Sequence, residues 1–383
     1  PYRVAGCSAI VISFKVLDGG NMSGFFIDAG NGVSGAKKSA GMRRFAITSL
    51  LAAMLAGGMG MPVSATEAAA AAQYSIEVPA AKIASTLLLD VTSAGSRLVA
   101  VGQRGHIIYS DDQGKSWTQA KVPTRSLLTA VYFVDAQHGW AVGHDTQILA
   151  STDGGATWTL QYEELERESP LINVWFENLE RGIAVGAYGT LLETTDGGKN
   201  WEDISDLLDN EDGVHLNSII QVKDAGLLIA GEMGMIFRSQ DDGATWETLD
   251  PPYDGSLFGA LPLNQSRSLL VYGLRGSVFR STDFGDSWQQ IILPGSGSEP
   301  FKFGLAGAAN LPDGSVALVG NGGSVAVSHD DGLTFRVVNA PDRQPISGVV
   351  EGPEGQLITV GQAGAQLIKP PAAGATEPME AAQ

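Results

Sequence analysis

The 383-residue sequence predicts an all-β chain folded as a ring of seven small antiparallel sheets, a seven-bladed β-propeller. Three observations predict it. An eight-residue motif recurs six times at near-constant spacing, and a pair of glycines recurs in register between the motifs. Glycine is abundant at 49 residues and hydrophobic content is 44%, which suits many short strands, tight turns and a real core.

The motif reads "SDDQGKSW" (110–117), "STDGGATW" (151–158), "TTDGGKNW" (194–201), "SQDDGATW" (239–246), "STDFGDSW" (281–288) and "SHDDGLTF" (328–335). Its aspartates, Asp112, Asp153, Asp196, Asp241, Asp283 and Asp330, lie 41, 43, 45, 42 and 47 residues apart. A period of that length is one four-stranded propeller blade.

Within a period the strands follow in order. In the second, "LTAVYFVD" (128–135) alternates like an inner strand, "HGWAVG" (138–143) and "QILAS" (147–151) follow, and "TWTLQYE" (157–163) comes after the motif. Between strands two and three stand Gly102/Gly105, Gly186/Gly189, Gly231/Gly234, Gly273/Gly276, Gly320/Gly323 and Gly361/Gly364, expected to reverse the chain with positive φ; the second period departs, with Gly143 followed by Thr146. The seventh period (346–370) supplies three strands and no motif. An open ring leaves unpaired edges, so the alternating "YSIEVP" (about 74–79) is expected to add the outer strand of blade seven and close the ring.

The motif is expected at the hairpin between strands three and four. Its hydroxyl and carboxylate can bond the N–H groups that a tight reversal leaves unpaired. Its aromatic, Trp117, Trp158, Trp201, Trp246, Trp288 or Phe335, then enters strand four and buries a large ring, worth on the order of 2–3 kcal/mol. This is the Asp-box pattern, a structural brace shared by several propeller families, sialidases among them. A calcium loop needs a terminal glutamate that the octets lack. Six equivalent copies also cannot form one active site.

Residues 1–41 are expected to be non-native residues upstream of the natural start. From Met42, "MRRFAITSLLAAMLAGGMGMPVSA" has the basic start, apolar run and small-residue end of a secretory signal peptide (42–65), with cleavage expected after Ala65. The apolar run is short for a membrane span, so no direct membrane insertion is expected after cleavage. Residues 66–73 read as a linker, 74–369 as the propeller and 370–383 as a disordered tail. The one cysteine, Cys7, falls outside the mature chain, so no disulfide is expected. The net charge of −18 excludes nucleic acid and anionic membrane surfaces as natural partners.

Function is expected on the face opposite the boxes, where the strand-two/three turns and the blade-to-blade connectors emerge. "YEELERESP" (162–170) and "SDLLDNEDGVH" (205–215) are acidic. "DPPYDGSLF" (250–258) and "LPGSGSEPFK" (293–302) carry exposed aromatics, Tyr253 and Phe258 among them. Arg104, Arg125 and Arg343 fall on neighbouring blades and Arg275 in the matching turn of blade five, a basic sector able to pair with a partner's carboxylates.

Enzyme signals are sparse. His106, His138, His144, His215 and His329 are scattered with no metal-ligand spacing, and surface or local roles are expected of them. No serine sits in a nucleophile elbow. "VPTRSL" (122–127) is not the opening segment of a sialidase. A glycosidase would draw its two carboxylates from Glu164, Glu166, Asp209, Glu211 and Asp212, which also read as solvated faces. No cofactor and no metal is expected.

The seven Asp-box periods, the "AVGQRGHI" and "AVGAYGTL" cores and the "HGWAVG" strand resemble the photosystem II stability/assembly factor propellers over roughly residues 74–369. That resemblance implies an exported, monomeric, non-enzymatic assembly chaperone that binds a membrane-protein subunit from the lumenal or periplasmic side. Non-photosynthetic bacteria hold close relatives of the family. An arginine-rich patch on adjacent blades is associated with the role, and Arg104, Arg125 and Arg343 are the arginines available for one, without a dense arginine motif. The location implied is the periplasm of a Gram-negative bacterium, or the thylakoid lumen of a photosynthetic one. The alternatives are an accessory periplasmic protein of an exporter and a glycan-acting propeller.

Overall fold

A computed structural model describes residues 74–295 and 301–371. The expected upstream segment, signal peptide, linker and most of the C-terminal tail lie outside the described residues.

The described chain is a seven-bladed all-β propeller. Six blades are four-stranded antiparallel sheets in simple up-and-down order, and the seventh has three strands. The first strands are Leu88–Ala94, Leu128–Phe133, Leu171–Phe176, Leu216–Val222, Leu257–Pro262, Leu305–Asn310 and Ile346–Glu351. Each packs beside the next, and the last packs beside the first, around a central channel. The second strands are buried along almost their whole length, as in Gly139–Gly143 and Gly182–Gly186, because both faces of a blade are covered by its neighbours. The core is therefore a set of apolar seams between blades. Trp140 stacks on Phe176 across one of them, with ring centroids 3.4 Å apart.

All seven first strands carry a bulge at the same point. The first residue of the strand pairs with the glycine that ends strand two, and the third residue pairs one step earlier, as in Leu88↔Gly102 and Asp90↔Val101. The bulge explains the first glycine of each pair. Gly102 and Gly320 are extended, with φ of −176° and −177°, so their role is not chain reversal. A Cβ on Gly102 would collide with the Leu87 carbonyl of the bulged strand. The second glycines do take positive φ, from +66° at Gly323 to +81° at Gly364. Thr146 occupies the corresponding site in blade two at φ +52°, held by its hydroxyl to the Ser169 carbonyl at 2.8 Å.

Ring closure differs from the sequence expectation. Residues 74–79 form no strand and add nothing to blade seven. They run beside the outer edge of blade one, where the Gln119 side-chain amide takes both partners a neighbouring strand would supply. Its Oε1 accepts the Val78 N–H at 2.8 Å, and its Nε2 donates to the Ile76 carbonyl at 2.8 Å. The 3₁₀ turn Ala80–Ser85 then enters the seam between blades seven and one. Ile83 and Val78 pack there against Leu88, Ile108, Trp117 and Val360. The N-terminal segment thus fills the seam as a plug rather than a strand, and Ser347 Oγ donates across it to the Leu88 carbonyl at 2.9 Å.

Candidate functional site

The boxes fasten the rim of one face. In blade two, Ser151 Oγ donates to Asp153 Oδ1 at 2.9 Å and accepts the Gly155 N–H at 2.9 Å. Asp153 in turn accepts the Thr157 N–H at 2.9 Å and the Thr157 hydroxyl at 2.6 Å. The same bonds recur in the other five boxes, around Asp112, Asp196, Asp241, Asp283 and Asp330, with the Asn200 side-chain amide in place of the second hydroxyl at Asp196. Hydrogen bonds from the Ser116 hydroxyl and then its N–H hold the Asp112 carboxyl down to about 2. The box aromatics stand just before strand four rather than within it. Trp158 and Phe335 are buried, and the other four are half-buried.

A second fastening layer joins the boxes of blades two to six to the preceding blade. Arg97 donates to the Asp153 and Gly154 carbonyls at 3.4 and 3.3 Å, Arg181 to the Asp242 carbonyl, and Arg238 to the Phe284 carbonyl at 2.9 Å. Arg280, 7% exposed, reaches both the Asp331 carbonyl at 2.9 Å and its carboxylate at 2.7 Å. Gln161 does the same for the Gly197 carbonyl at 3.1 Å. Sequence reasoning missed this layer. Its visible trace is an arginine directly before the box hydroxyl, in Arg238-Ser239 and Arg280-Ser281.

The central channel, about 640 Å³, is lined by first-strand residues of all seven blades. Because of the bulge, two successive positions of each first strand meet the neighbouring blade or the channel. Where these are polar they latch one blade to the next. Asp90 accepts the Val131 N–H at 2.9 Å, and Thr129 donates to the Leu171 carbonyl at 2.7 Å. Asn173 accepts the Ile219 N–H at 3.3 Å, and Asn217 donates to the Leu257 carbonyl at 2.8 Å. Ser347 of blade seven closes the series on the Leu88 carbonyl, while blades five to seven carry Gly259, Gly307 and Gly348 at the position of Asp90 and Asn173. Among the described residues that line the channel, Asp90 is the one Asp or Glu, and none is Lys, Arg or His. Part of Asp90 opens onto the channel, yet protein surrounds it, and this desolvation pushes its carboxyl up to about 7 against the hydrogen bonds from Val131 and Val91.

The opposite face carries the turns and connectors. In blades one to six each strand-two/three turn presents one residue at its tip in left-handed conformation: Arg104, Asp145, Tyr188, Met233, Arg275 and Gly322, with φ from +54° to +68°. The connector to the next blade packs on that turn, since a Cβ on Gly105 would strike the Thr124 carbonyl and one on Gly323 would touch Arg343. Arg104 and Arg125 therefore sit side by side on blade one, and both are exposed. Arg125 Nε donates to the Tyr74 carbonyl at 2.9 Å. Arg343 is exposed on the connector from blade six to blade seven, and Arg275 on blade five. These four lie on the arc from blade five round to blade one. The turns and connectors of blades two to four, by contrast, expose Asp145, Glu163, Glu166, Glu168, Asp206, Asp209, Glu211, Asp212, Asp250 and Asp254, and Arg167 is the one arginine or lysine in those segments. The face is electrically divided.

Other sequence expectations change. Tyr253 is not an exposed aromatic. It is half-buried in the seam between blades four and five, stacked on Phe279 with centroids 6.1 Å apart, because the connector folds inward over the Gly234 turn. Phe258, 38% exposed, lies at the bulge of blade five and lines the channel. His106 is buried rather than superficial: its Nε2 donates to the Ile83 carbonyl at 3.1 Å, and burial lowers its pKa. Glu164 accepts from Tyr162 at 3.1 Å and pairs with Arg167 at 3.5 Å at the outer edge of blade two, away from the channel. Glu166, Asp209, Glu211 and Asp212 lie exposed on two separate connectors. Among the described residues no group of three His, Cys, Asp or Glu is placed to hold a metal, and no helix is long and apolar enough to cross a membrane.

Comparison with known proteins fits this architecture. The family model described as photosynthesis system II assembly factor YCF48 matches residues 115–168 and 159–300, and the BNR/Asp-box repeat model matches 108–119. A photosystem II stability/assembly factor, HCF136 of the Cyanidioschyzon merolae chloroplast, is 34% identical over 91 residues, 22% of this chain and 21% of its own length. Among solved structures, YCF48 bound to D1 peptide is 17% identical with a TM-score of 0.60, over 78% of this chain and 95% of that one. A streptogramin B lyase, 13% identical, reaches a TM-score of 0.62 over 76% and 96%, so structural likeness at this level marks the fold and not the chemistry. With its six Asp-boxes and seven blades, the chain belongs to the photosystem II stability/assembly factor-like family of BNR-repeat propellers.

Proposed function

We propose that the protein is an exported, non-enzymatic scaffold that holds a segment of a membrane or envelope protein complex on its connector face. The observation that carries this reading is the electrical division of that face beside a channel where, among the described residues, Asp90 is the single carboxyl group. Arg104, Arg125, Arg343 and Arg275 offer planar, permanently charged donors to a partner's carboxylates. Phe258 at the channel adds apolar surface. The solved YCF48 complex with D1 peptide supports a polypeptide partner. Catalysis has little to work with in the channel, where hydrolysis of a glycoside needs two carboxyl groups across the bond.

In-cell photocrosslinking tests it, with benzoylphenylalanine placed in turn at positions 104 and 258, and at 199 in a box. Adducts to one membrane or envelope protein are expected from 104 and 258 and not from 199. Arg104→Ala/Arg125→Ala/Arg343→Ala is expected to remove the adduct formed from 258. Equal adducts from the box face, or none sensitive to the arginines, would reject the reading.

A further inference from the structure

Blades two to four expose large apolar side chains where the backbone is firmly held. Tyr188 and Met233 are 68% and 63% exposed at neighbouring turn tips, at φ +54° and +55°. Leu165 and Leu207, 61% and 44% exposed, stand on the connectors beside them. The two tips are physically joined. The Tyr188 ring lies 4.9 Å from the His215 ring, and His215 lies 3.8 Å from the Glu232 carboxylate, next to Met233. Arg167 bonds Asp203 at 2.7 Å and ties the Leu165 turn to blade three.

This apolar strip runs through the acidic half of the connector face. The combination selects its occupant. Anionic lipid headgroups and acidic segments are repelled, and a neutral apolar surface would leave the acids unanswered. A second copy of the chain brings its own charge of −18. A polypeptide segment with apolar side chains on one side and Lys or Arg on its flanks answers both features. We propose that Leu165, Tyr188, Leu207 and Met233 form a second recognition surface, for a cationic amphipathic segment of a partner protein, separate from the arginine arc. A partner holding an acidic and a basic segment would span both halves of the face.

The test uses the full chain and a fluorescein-labelled amphipathic Leu/Lys helix of about 18 residues, with a Leu/Glu helix as its counterpart. Anisotropy is read at low and moderate salt. The Lys peptide is expected to bind and the Glu peptide not. Tyr188→Ser/Met233→Ser is expected to weaken binding about 10-fold or more at unchanged melting temperature. Glu166→Lys/Asp209→Lys/Asp212→Lys is expected to abolish it, while Arg104→Ala/Arg125→Ala/Arg343→Ala leaves it intact and so separates this surface from the proposed scaffold site. No binding of the Lys peptide, or full binding by the serine double variant, would overturn the proposal. So would a dimer in sedimentation that the same substitutions dissolve, since a second copy would then be the occupant.

Discussion

The Asp90 carboxylate of blade one accepts the backbone N–H of Val131 in blade two at 2.9 Å, within the channel wall. The charge stabilises the latch but is poorly solvated, and its pKa rises from 3.8 to about 7. A raised carboxyl pKa gives stability that is full below the unfolded value and is lost as pH climbs through the folded value. Between about pH 4 and pH 8 this group alone should lower stability by on the order of 2–4 kcal/mol. Asp90→Asn cannot ionise, so its unfolding free energy should change less over that range. Parallel urea titrations of both proteins at several pH values check this, and parallel pH slopes would disprove it.

The box hydroxyls are buried and bonded on both sides. Ser281 Oγ accepts the Gly285 N–H at 2.8 Å and donates to Asp283 at 2.8 Å. Ser281→Ala leaves that buried N–H unpaired and should cost about 1–3 kcal/mol. Because the boxes lie on the face away from the connectors, binding to either proposed surface should not change. Chemical denaturation combined with the crosslinking assay checks both halves of this expectation.

Arg280 is nearly fully buried between blades five and six, with two bonds to Asp331. Arg280→Lys keeps the charge but cannot reproduce the fork, so it should recover only part of the loss. Arg280→Ala strands the Asp331 groups and should cost about 3–5 kcal/mol. A melting temperature for the alanine variant equal to wild type would show that the box of blade six needs no bracket.

The periodic parts of the molecule were readable from residues alone. Box spacing places six turns, and the seam that each turn supports follows from strand alternation. The latches were hidden because the bulge after Leu88, Leu128 and their counterparts breaks the two-residue period at the positions that meet the next blade. Nothing in the two-residue alternation therefore marks Thr129 and Asn217 as latches. The closing segment misled for a different reason. "YSIEVP" alternates as a strand does, but the paired bonds went to the Gln119 side chain, which mimics a peptide group and carries no periodic signature. The electrical division of the connector face was half legible. The acidic connectors and the arginines were visible, while the burial of Tyr253 and the exposure of Tyr188 and Met233 depend on how connectors fold over the turns.

Closure of the ring rests on the seam plug, so its removal should act locally before it acts globally. Ile83 is 8% exposed and packs against Leu88, Ile108 and Val360. Its carbonyl accepts from His106, whose pKa is lowered chiefly by burial. Ile83→Ala should cost about 2–4 kcal/mol. Blades seven and one would then open most readily, so amide exchange should accelerate first in Gly364–Ile368 and Ile107–Ser110. A depressed histidine pKa gives stability that is full above the unfolded value near 6.5 and is lost as pH falls below it. Acid should therefore open the same seam, and His106→Gln should blunt that sensitivity while Asp90→Asn does not. Uniform exchange across all seven blades in the Ile83 variant would instead show that the plug contributes only bulk stability and that the face-to-face packing of blades seven and one suffices to close the ring.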